Sequence, residues 1–124
     1  MIVDVGGGIG SLLANILLKN NNSRGINYDL PELEIAAKKY FQEKNIAPRC
    51  QYIGGDFLKS IPTGGDIYLM KAILHGKNDE IAMEILTRCK DVLPRNGRLL
   101  VIERIIDKAG NKNYIEHVLM ILIC

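Results

Sequence analysis

The sequence has few cysteines, no dominant charge and no long apolar run, and each lack argues against a class of protein. Its three cysteines, Cys50, Cys89 and Cys124, are odd in number and far apart, with no Cys-x-x-Cys or other metal-ligand spacing. That speaks against a disulfide scaffold and against a metal site, and it predicts reduced, structurally buried thiols in a cytoplasmic protein. Lysine and arginine number 16 against 14 acids, a net charge of +2, and the Lys38-Lys39 pair sits among Glu32, Glu34 and Glu43. Without a basic run, no nucleic-acid partner is expected. The apolar stretch from Val118 to Cys124 is far too short to cross a bilayer, so no membrane partner is expected either. Met1 opens directly on an apolar strand, and no signal peptide is expected.

What is present suits one domain over residues 1–124. Hydrophobic residues make up 48% of the chain, enough for a true core, although a chain of this size buries only about two-thirds of its unfolded surface. The informative stretch comes first. Met1 to Val5 is mostly β-branched and apolar; four glycines follow within five positions, Gly6, Gly7, Gly8 and Gly10; then Ile9, Leu12, Leu13, Ile16 and Leu17 recur at a helical period. This predicts strand, tight turn and helix. Glycines there allow positive φ and let a ligand lie against bare peptide, while free N–H groups at the helix start favour an anionic or electron-rich group.

The alternation continues along the chain. A second strand from Arg24 ends at Asp29, and Pro31 opens a helix over Glu32 to Asn45 whose inner face is Leu33, Ala36, Ala37, Tyr40 and Phe41. A third strand over Cys50 to Ile53 closes on Gly54-Gly55-Asp56-Phe57, and a fourth covers Asp66 to Met70. Asn78 to Glu80 caps a helix over 79 to 91, with Ile81, Ile85, Leu86, Cys89 and Val92 turned inward. A fifth strand, Arg98 to Glu103, carries the apolar run of a strand covered on both faces. After a polar loop over Lys108 to Asn113, Tyr114 begins an apolar helix that includes His117, read as structural. The sum is an α/β fold: an open, doubly wound, Rossmann-like sheet of about five mainly parallel strands flanked by helices.

On such sheets ligands bind beyond the carboxyl ends of the strands. Those ends carry Gly6 to Gly10, Asp29 with Leu30, Asp56 with Phe57, Lys71 and His75, and Glu103. Asp29 lies 19 residues beyond Gly10, the distance at which an acid accepts hydrogen bonds from a ribose diol. Capping of the next helix is its alternative role, and an ordinary Asx turn is the alternative for Asp56.

Val3-Asp-Val-Gly-Gly-Gly-Ile-Gly10, Tyr28-Asp-Leu-Pro31, Gly54-Gly-Asp-Phe57, Met70-Lys-Ala-Ile-Leu-His75 with Asn78-Asp-Glu80, and Arg98-Leu-Leu-Val-Ile-Glu103 stand in an order and spacing that resemble the S-adenosylmethionine-dependent O-methyltransferases of the caffeate and hydroxyindole type. The resemblance covers nearly the whole chain and implies the class I methyltransferase core. It implies S-adenosylmethionine as cofactor, bound by Gly6 and Gly8 of the turn, Asp29 and Leu30 at the ribose, Asp56 and Phe57 at the adenine, and Lys71 at the cofactor's edge. It further implies His75 as general base toward a hydroxyl of a small, phenolic acceptor, with Glu103 orienting the imidazole. A neutral imidazole suits that role because its ordinary pKa lies near 6.5.

Departures from the family pattern accompany the matches. Where that family usually reads His-Asp-Trp, the chain reads His75-Gly76-Lys77. Compared with the family, the sequence resembles a core cut at both ends, lacking the N-terminal dimerisation domain and the final strands. That leaves an exposed fifth strand and an apolar last helix, surfaces through which a homodimer could form. Two other classes stay open: a non-catalytic or degenerate cofactor-binding fragment of such an enzyme, and a nicotinamide-dependent oxidoreductase. Against the latter, Ser11 stands where the last glycine of the dinucleotide fingerprint belongs.

Overall fold

The computed structural model describes residues 1–104 and 118–123. Six strands form one sheet in the order β3-β2-β1-β4-β5-β6. In chain order these are β1 (Ile2–Val5), α1 (Ser11–Lys19), β2 (Gly25–Asp29), α2 (Glu34–Glu43), β3 (Cys50–Gly54), β4 (Ile67–Lys71), α3 (Asp79–Val92), β5 (Arg98–Arg104) and β6 (Val118–Ile123). The first five strands are parallel. From β1 the chain steps outward to β2 and β3, then crosses back to place β4 on the other side of β1. The strand order therefore reverses between β1 and β4, the position at which open α/β sheets offer a crevice.

Alternation along the strands divides the core between two faces. Val3, Val5, Ile26, Tyr28, Tyr68, Met70, Leu99 and Val101 pack with Ile85 and Cys89 of α3. Ile2, Leu69, Cys50 and Tyr52 pack with Leu13, Leu17, Ala37 and Phe41 of α1 and α2. Each fully buried Leu or Phe contributes roughly 1.5–3 kcal/mol by leaving water. Asn78 caps α3 by accepting the Ile81 N–H at 2.9 Å, and Asp79 and Glu80 sit in its first turn, where the helix dipole favours acids. By contrast α1 starts on Gly10 in the left-handed region (φ 88) with no side-chain cap.

Most sequence boundaries hold to within a residue or two, with four corrections. Pro31–Leu33 forms a short 3-10 turn ahead of α2, so the regular helix begins at Glu34. Ala36 and Ile9, expected on inward faces, are exposed: α2 buries a narrow stripe of Ala37 and Phe41, and Ile9 lies in the glycine turn ahead of α1. The apolar segment from Val118 is a strand, not the second half of a helix. It runs antiparallel to β5, from Leu99 opposite Ile123 to Arg104 opposite Val118. A six-residue apolar run satisfies either period, and pairing with the open edge of β5 decides the matter by giving that edge partners. The expected exposed fifth strand is thereby corrected too. His117, the loop over Lys108 to Asn113, Tyr114 and Cys124 lie outside the described residues. Among the described residues no helix is long and apolar enough to cross a membrane.

Candidate functional site

The carboxyl ends of β1, β2, β4 and β5 meet around the glycine turn. Gly6, Gly8 and Gly10 all take positive φ (72, 60 and 88°), conformations that cost other residues about 1 kcal/mol or more. At Gly8 an added Cβ would meet nothing within 4 Å, so this part of the turn faces open space. Space at Gly6 and Gly10 is closed: a Cβ would strike Ile73 at the first and stand 2.5 Å from Phe41 Cε1 at the second.

Asp29 ends β2 and holds the turn. Its Oδ2 accepts the Gly8 N–H at 2.7 Å and its Oδ1 the Leu30 N–H at 2.7 Å. The Gly8 contact ties Asp29 to the glycine turn, whereas the capping alternative is corrected: the Pro31–Leu33 turn has no side-chain cap, because Oδ1 is engaged by the Leu30 N–H ahead of it. An ionised carboxylate has about four acceptor positions, so two remain for a ligand's hydroxyls. Leu30 stands half exposed beside it, with its carbonyl fixed by the Tyr52 hydroxyl at 2.6 Å. Asp56 forms the Asx turn anticipated as its alternative, Oδ1 accepting the Leu58 N–H at 2.8 Å. Phe57 packs against the core below and comes up beside Gly6, its Cε1 3.5 Å from where a Cβ there would lie. Lys71 is exposed at the end of β4.

His75 and Glu103 come together. His75 Nδ1 lies 3.0 Å from Glu103 Oε2, and Oε1 of the same carboxylate accepts the Ile73 and Leu74 N–H groups at 2.7 and 2.6 Å. Glu103 is 13% exposed while the His75 side chain is 56% exposed. The acid is fixed by three contacts, and the imidazole, anchored at one nitrogen, is left more than half exposed. The turn that carries His75 contains Ala72 at φ 57, an uncommon conformation for a residue with a Cβ.

Three features of the site were not among the sequence candidates. Asp4 and Asn27, paired in register on β1 and β2, are 1% and 0% exposed beneath the turn. Asn27 Nδ2 donates to the Gly8 carbonyl at 2.8 Å, and burial together with the nearby Asp29 charge raises the Asp4 carboxyl from 3.8 to about 6, against the pull of Lys71. Ile73 is the third: it carries the Glu103-held turn onto Gly6. The available signal for the first two is a polar residue interrupting a buried strand. Cys50 and Cys89 are free and buried, with burial first among the causes that push both thiols up to about 12, so they stay protonated and unreactive. No cluster able to hold a metal ion occurs among the described residues. A cavity of about 420 Å³ opens at the opposite, amino end of the sheet beside Arg24 and Arg49, away from this mouth.

An open, doubly wound sheet with a glycine turn at its switch point, an acid ending the second strand and a histidine–carboxylate pair beside them has the form of a nucleotide-type cofactor-binding core. The comparisons give its family. The O-methyltransferase domain model matches residues 1–124, and the chain belongs to that family. A phenazine O-methyltransferase of Lysobacter antibioticus is 37% identical over 105 residues, 85% of this chain and 31% of that protein. A flavonoid 3'-O-methyltransferase of Chrysosplenium americanum is 42% identical over 105 residues, 85% of this chain and 28% of that protein. Among solved structures, an O-methyltransferase of neocarzinostatin biosynthesis, held with S-adenosylmethionine and 2-hydroxy-5-methyl naphthoic acid, superposes with a TM-score of 0.80 at 36% identity, covering 84% of this chain and 32% of that one. The fold is that of the class I methyltransferases. The chain spans about a third of the length of the relatives it matches.

Proposed function

We propose that residues 1–124 form the cofactor-binding and catalytic core of an S-adenosylmethionine-dependent O-methyltransferase that acts on a hydroxyl of a small aromatic acceptor. The observation that carries this reading is the His75 Nδ1 to Glu103 Oε2 contact of 3.0 Å at the rim of the glycine turn. The residues fit the cofactor: the open side of Gly8 offers bare peptide, Asp29 keeps free acceptor positions for ribose hydroxyls, and Phe57 and Leu30 supply apolar surface for a ring. When bound, the sulfonium supplies an activated methyl group with a good leaving group already attached. The chain's own task is then mainly proximity and proton removal.

In this reading the Glu103 carboxylate accepts a hydrogen bond from the Nδ1–H of His75 and so fixes the tautomer whose Nε2 lone pair is free. Nε2 takes the proton of the acceptor hydroxyl, making that oxygen nucleophilic, and the developing imidazolium is stabilised by the same carboxylate. Lys71 and Asp56 border the cofactor. Gly76 and Lys77 leave the side of His75 without the family's acid and aromatic, so the acceptor's wall comes from elsewhere. The names of several relatives, phenazine and flavonoid among them, support an aromatic acceptor, while an inositol 4-methyltransferase of Mesembryanthemum crystallinum, 34% identical, is named for a non-aromatic one.

Calorimetric titration with S-adenosylhomocysteine, with NAD alongside and Asp29→Ala as control, tests the cofactor half of the proposal. Binding of S-adenosylhomocysteine that Asp29→Ala weakens at least tenfold, with none for NAD, is expected. Binding of NAD alone overturns the proposal in favour of an oxidoreductase. Methyl transfer to a panel of phenols, lost in His75→Gln while S-adenosylhomocysteine still binds, tests the catalytic half. Cofactor binding without turnover on any phenol identifies a non-catalytic member of the family.

A further inference from the structure

Two buried acceptors face each other under the glycine turn. Asp4 Oδ2 and Asn27 Oδ1 are both enclosed and both lack a hydrogen-bond partner. They converge on one point, for a Cβ on Gly7 would collide with Asn27 Oδ1 and stand 2.8 Å from Asp4 Oδ2. Two bare oxygens so placed in a poorly solvated interior repel each other, and native interiors rarely leave such groups unpaired. Turning the Asn27 amide over does not help. It would move Oδ1 against the Gly8 carbonyl, which can only accept and which now receives Nδ2–H at 2.8 Å. On the Gly7 side the two oxygens lie so close to the backbone that there is no space even for a Cβ.

One proton satisfies every atom. We infer that the Asp4 carboxyl is held protonated and donates to Asn27 Oδ1, so that Asp4, Asn27 and the Gly8 carbonyl form a hydrogen-bonded chain that latches the glycine turn to β1 and β2. Asp4 and Asn27 are positioning residues in this arrangement; they act on a ligand through the turn and do not touch it. Of the charged groups facing Asp4, one supports the neutral form and one opposes it. On β2, Asp29 disfavours a second negative charge; on β4, Lys71 favours one from an exposed position; on β3, the Cys50 thiol is neutral. The helices over this face, α1 and α2, present Leu13, Ala14, Ala37 and Phe41. Burial already moves the carboxyl upward, and a hydrogen bond given by the neutral form moves it further in the same direction. The latch therefore opens as pH rises through the Asp4 titration, when the donor is lost and the two oxygens repel.

The test needs no ligand and does not depend on the proposed methyl transfer. The Asp4 carboxyl is followed by 13C NMR from pH 4 to 8.5, together with intrinsic-rate-corrected amide exchange at Gly8. The expected result is a midpoint at or above about 6, with Gly8 exchange rising about tenfold across it. In Asp4→Asn, whose amide donates to Asn27 Oδ1 at every pH, Gly8 exchange is expected to lose that pH dependence. A midpoint below about 5 overturns the inference and assigns the orphan oxygens to a bridging water elsewhere. So does an unchanged Gly8 profile in Asp4→Asn, and the wild-type titration decides alone if that variant does not fold.

Discussion

Glu103 performs two separable tasks, and substitution by Gln or by Ala divides them. One carboxylate oxygen accepts the Ile73 and Leu74 N–H groups and so shapes the turn after β4; the other meets His75 Nδ1. In Glu103→Gln the amide oxygen can still serve both backbone donors. The amide nitrogen then faces His75 and can only donate, which forces the imidazole into the tautomer with its proton on Nε2. The opposite amide orientation would set two backbone N–H groups against an NH2. Exchanging charged for neutral acceptors costs roughly 1–2 kcal/mol of stability in total, since bonds to charged groups exceed neutral ones by about 1 kcal/mol each. Glu103→Ala leaves two partly buried N–H groups without acceptors, at roughly 1–3 kcal/mol apiece, and costs about 3–5 kcal/mol. Urea unfolding measures the stabilities, and 15N shifts of His75 report the tautomer directly. Methyl transfer is expected to fall about 10²–10⁴-fold in both variants, the usual worth of a positioned base. Equal destabilisation by Gln and Ala, or a His75 tautomer unchanged in Glu103→Gln, would refute this division of labour.

Asp4 gives a pH dependence with a definite sign. Its carboxyl is raised in the native state from 3.8 to about 6. Its contribution to stability is thus fully present below pH 4 and is lost as pH rises through 6, by ~3 kcal/mol. Relative to wild type, Asp4→Asn is expected to gain about that much between pH 4 and pH 8 in urea unfolding; parallel profiles would show that the carboxyl is not perturbed. Gly10→Ala combines a residue at φ 88 with a Cβ 2.5 Å from Phe41 Cε1. Backbone strain of about 1 kcal/mol and overpacking of roughly 1–3 kcal/mol give an expected loss of about 2–4 kcal/mol, of which Phe41→Leu in the same chain should recover the steric share. Ala72 sits at φ 57, so Ala72→Gly is expected to stabilise by about 0.5–1 kcal/mol in thermal or urea unfolding, and a loss there would show that the turn is unstrained.

What could be read from the sequence follows from which signals are local. The glycine turn, the place of Asp29 at the end of the second strand and the mainly parallel sheet were legible because four glycines between an apolar strand and a periodic helix admit few structures, and because repeated strand–helix alternation favours a parallel sheet. Asp56 was legible only as a choice between two roles, and its Asx turn with Leu58 is one of them. Asp4 and Asn27 escaped notice because a single polar residue inside a short strand has no period of its own; their meaning lies in register, Asp4 opposite Asn27, which is a tertiary fact. The same holds for Ala72, since no composition signal marks a left-handed residue that is not glycine or asparagine. Val118–Ile123 is a strand where the sequence suggests a helix, since a short apolar run fits helix and buried strand alike and only the open edge of β5 selects between them.

The glycine turn is fixed from three sides: by Asp29 at the Gly8 N–H, by Asn27 at the Gly8 carbonyl, and by Ile73 and Phe57 against Gly6. Ile73 in turn belongs to the segment held by Glu103, which also holds His75. A carboxylate on β5 is thus connected to the turn after β1 through one side chain, and the proposed base and the proposed cofactor cradle share an anchor. Removing Asp29 or Glu103 therefore disturbs geometry and chemistry together, so weakened binding in either variant does not by itself identify a ligand contact. Asp29→Asn separates the two: one amide oxygen still accepts a backbone N–H, while a donor replaces the acceptor needed at the other position. If Asp29→Asn and Asp29→Ala lose S-adenosylhomocysteine equally but differ in Gly8 amide protection, the carboxylate acts on the ligand itself. If affinity follows Gly8 protection in both, the carboxylate acts through the turn.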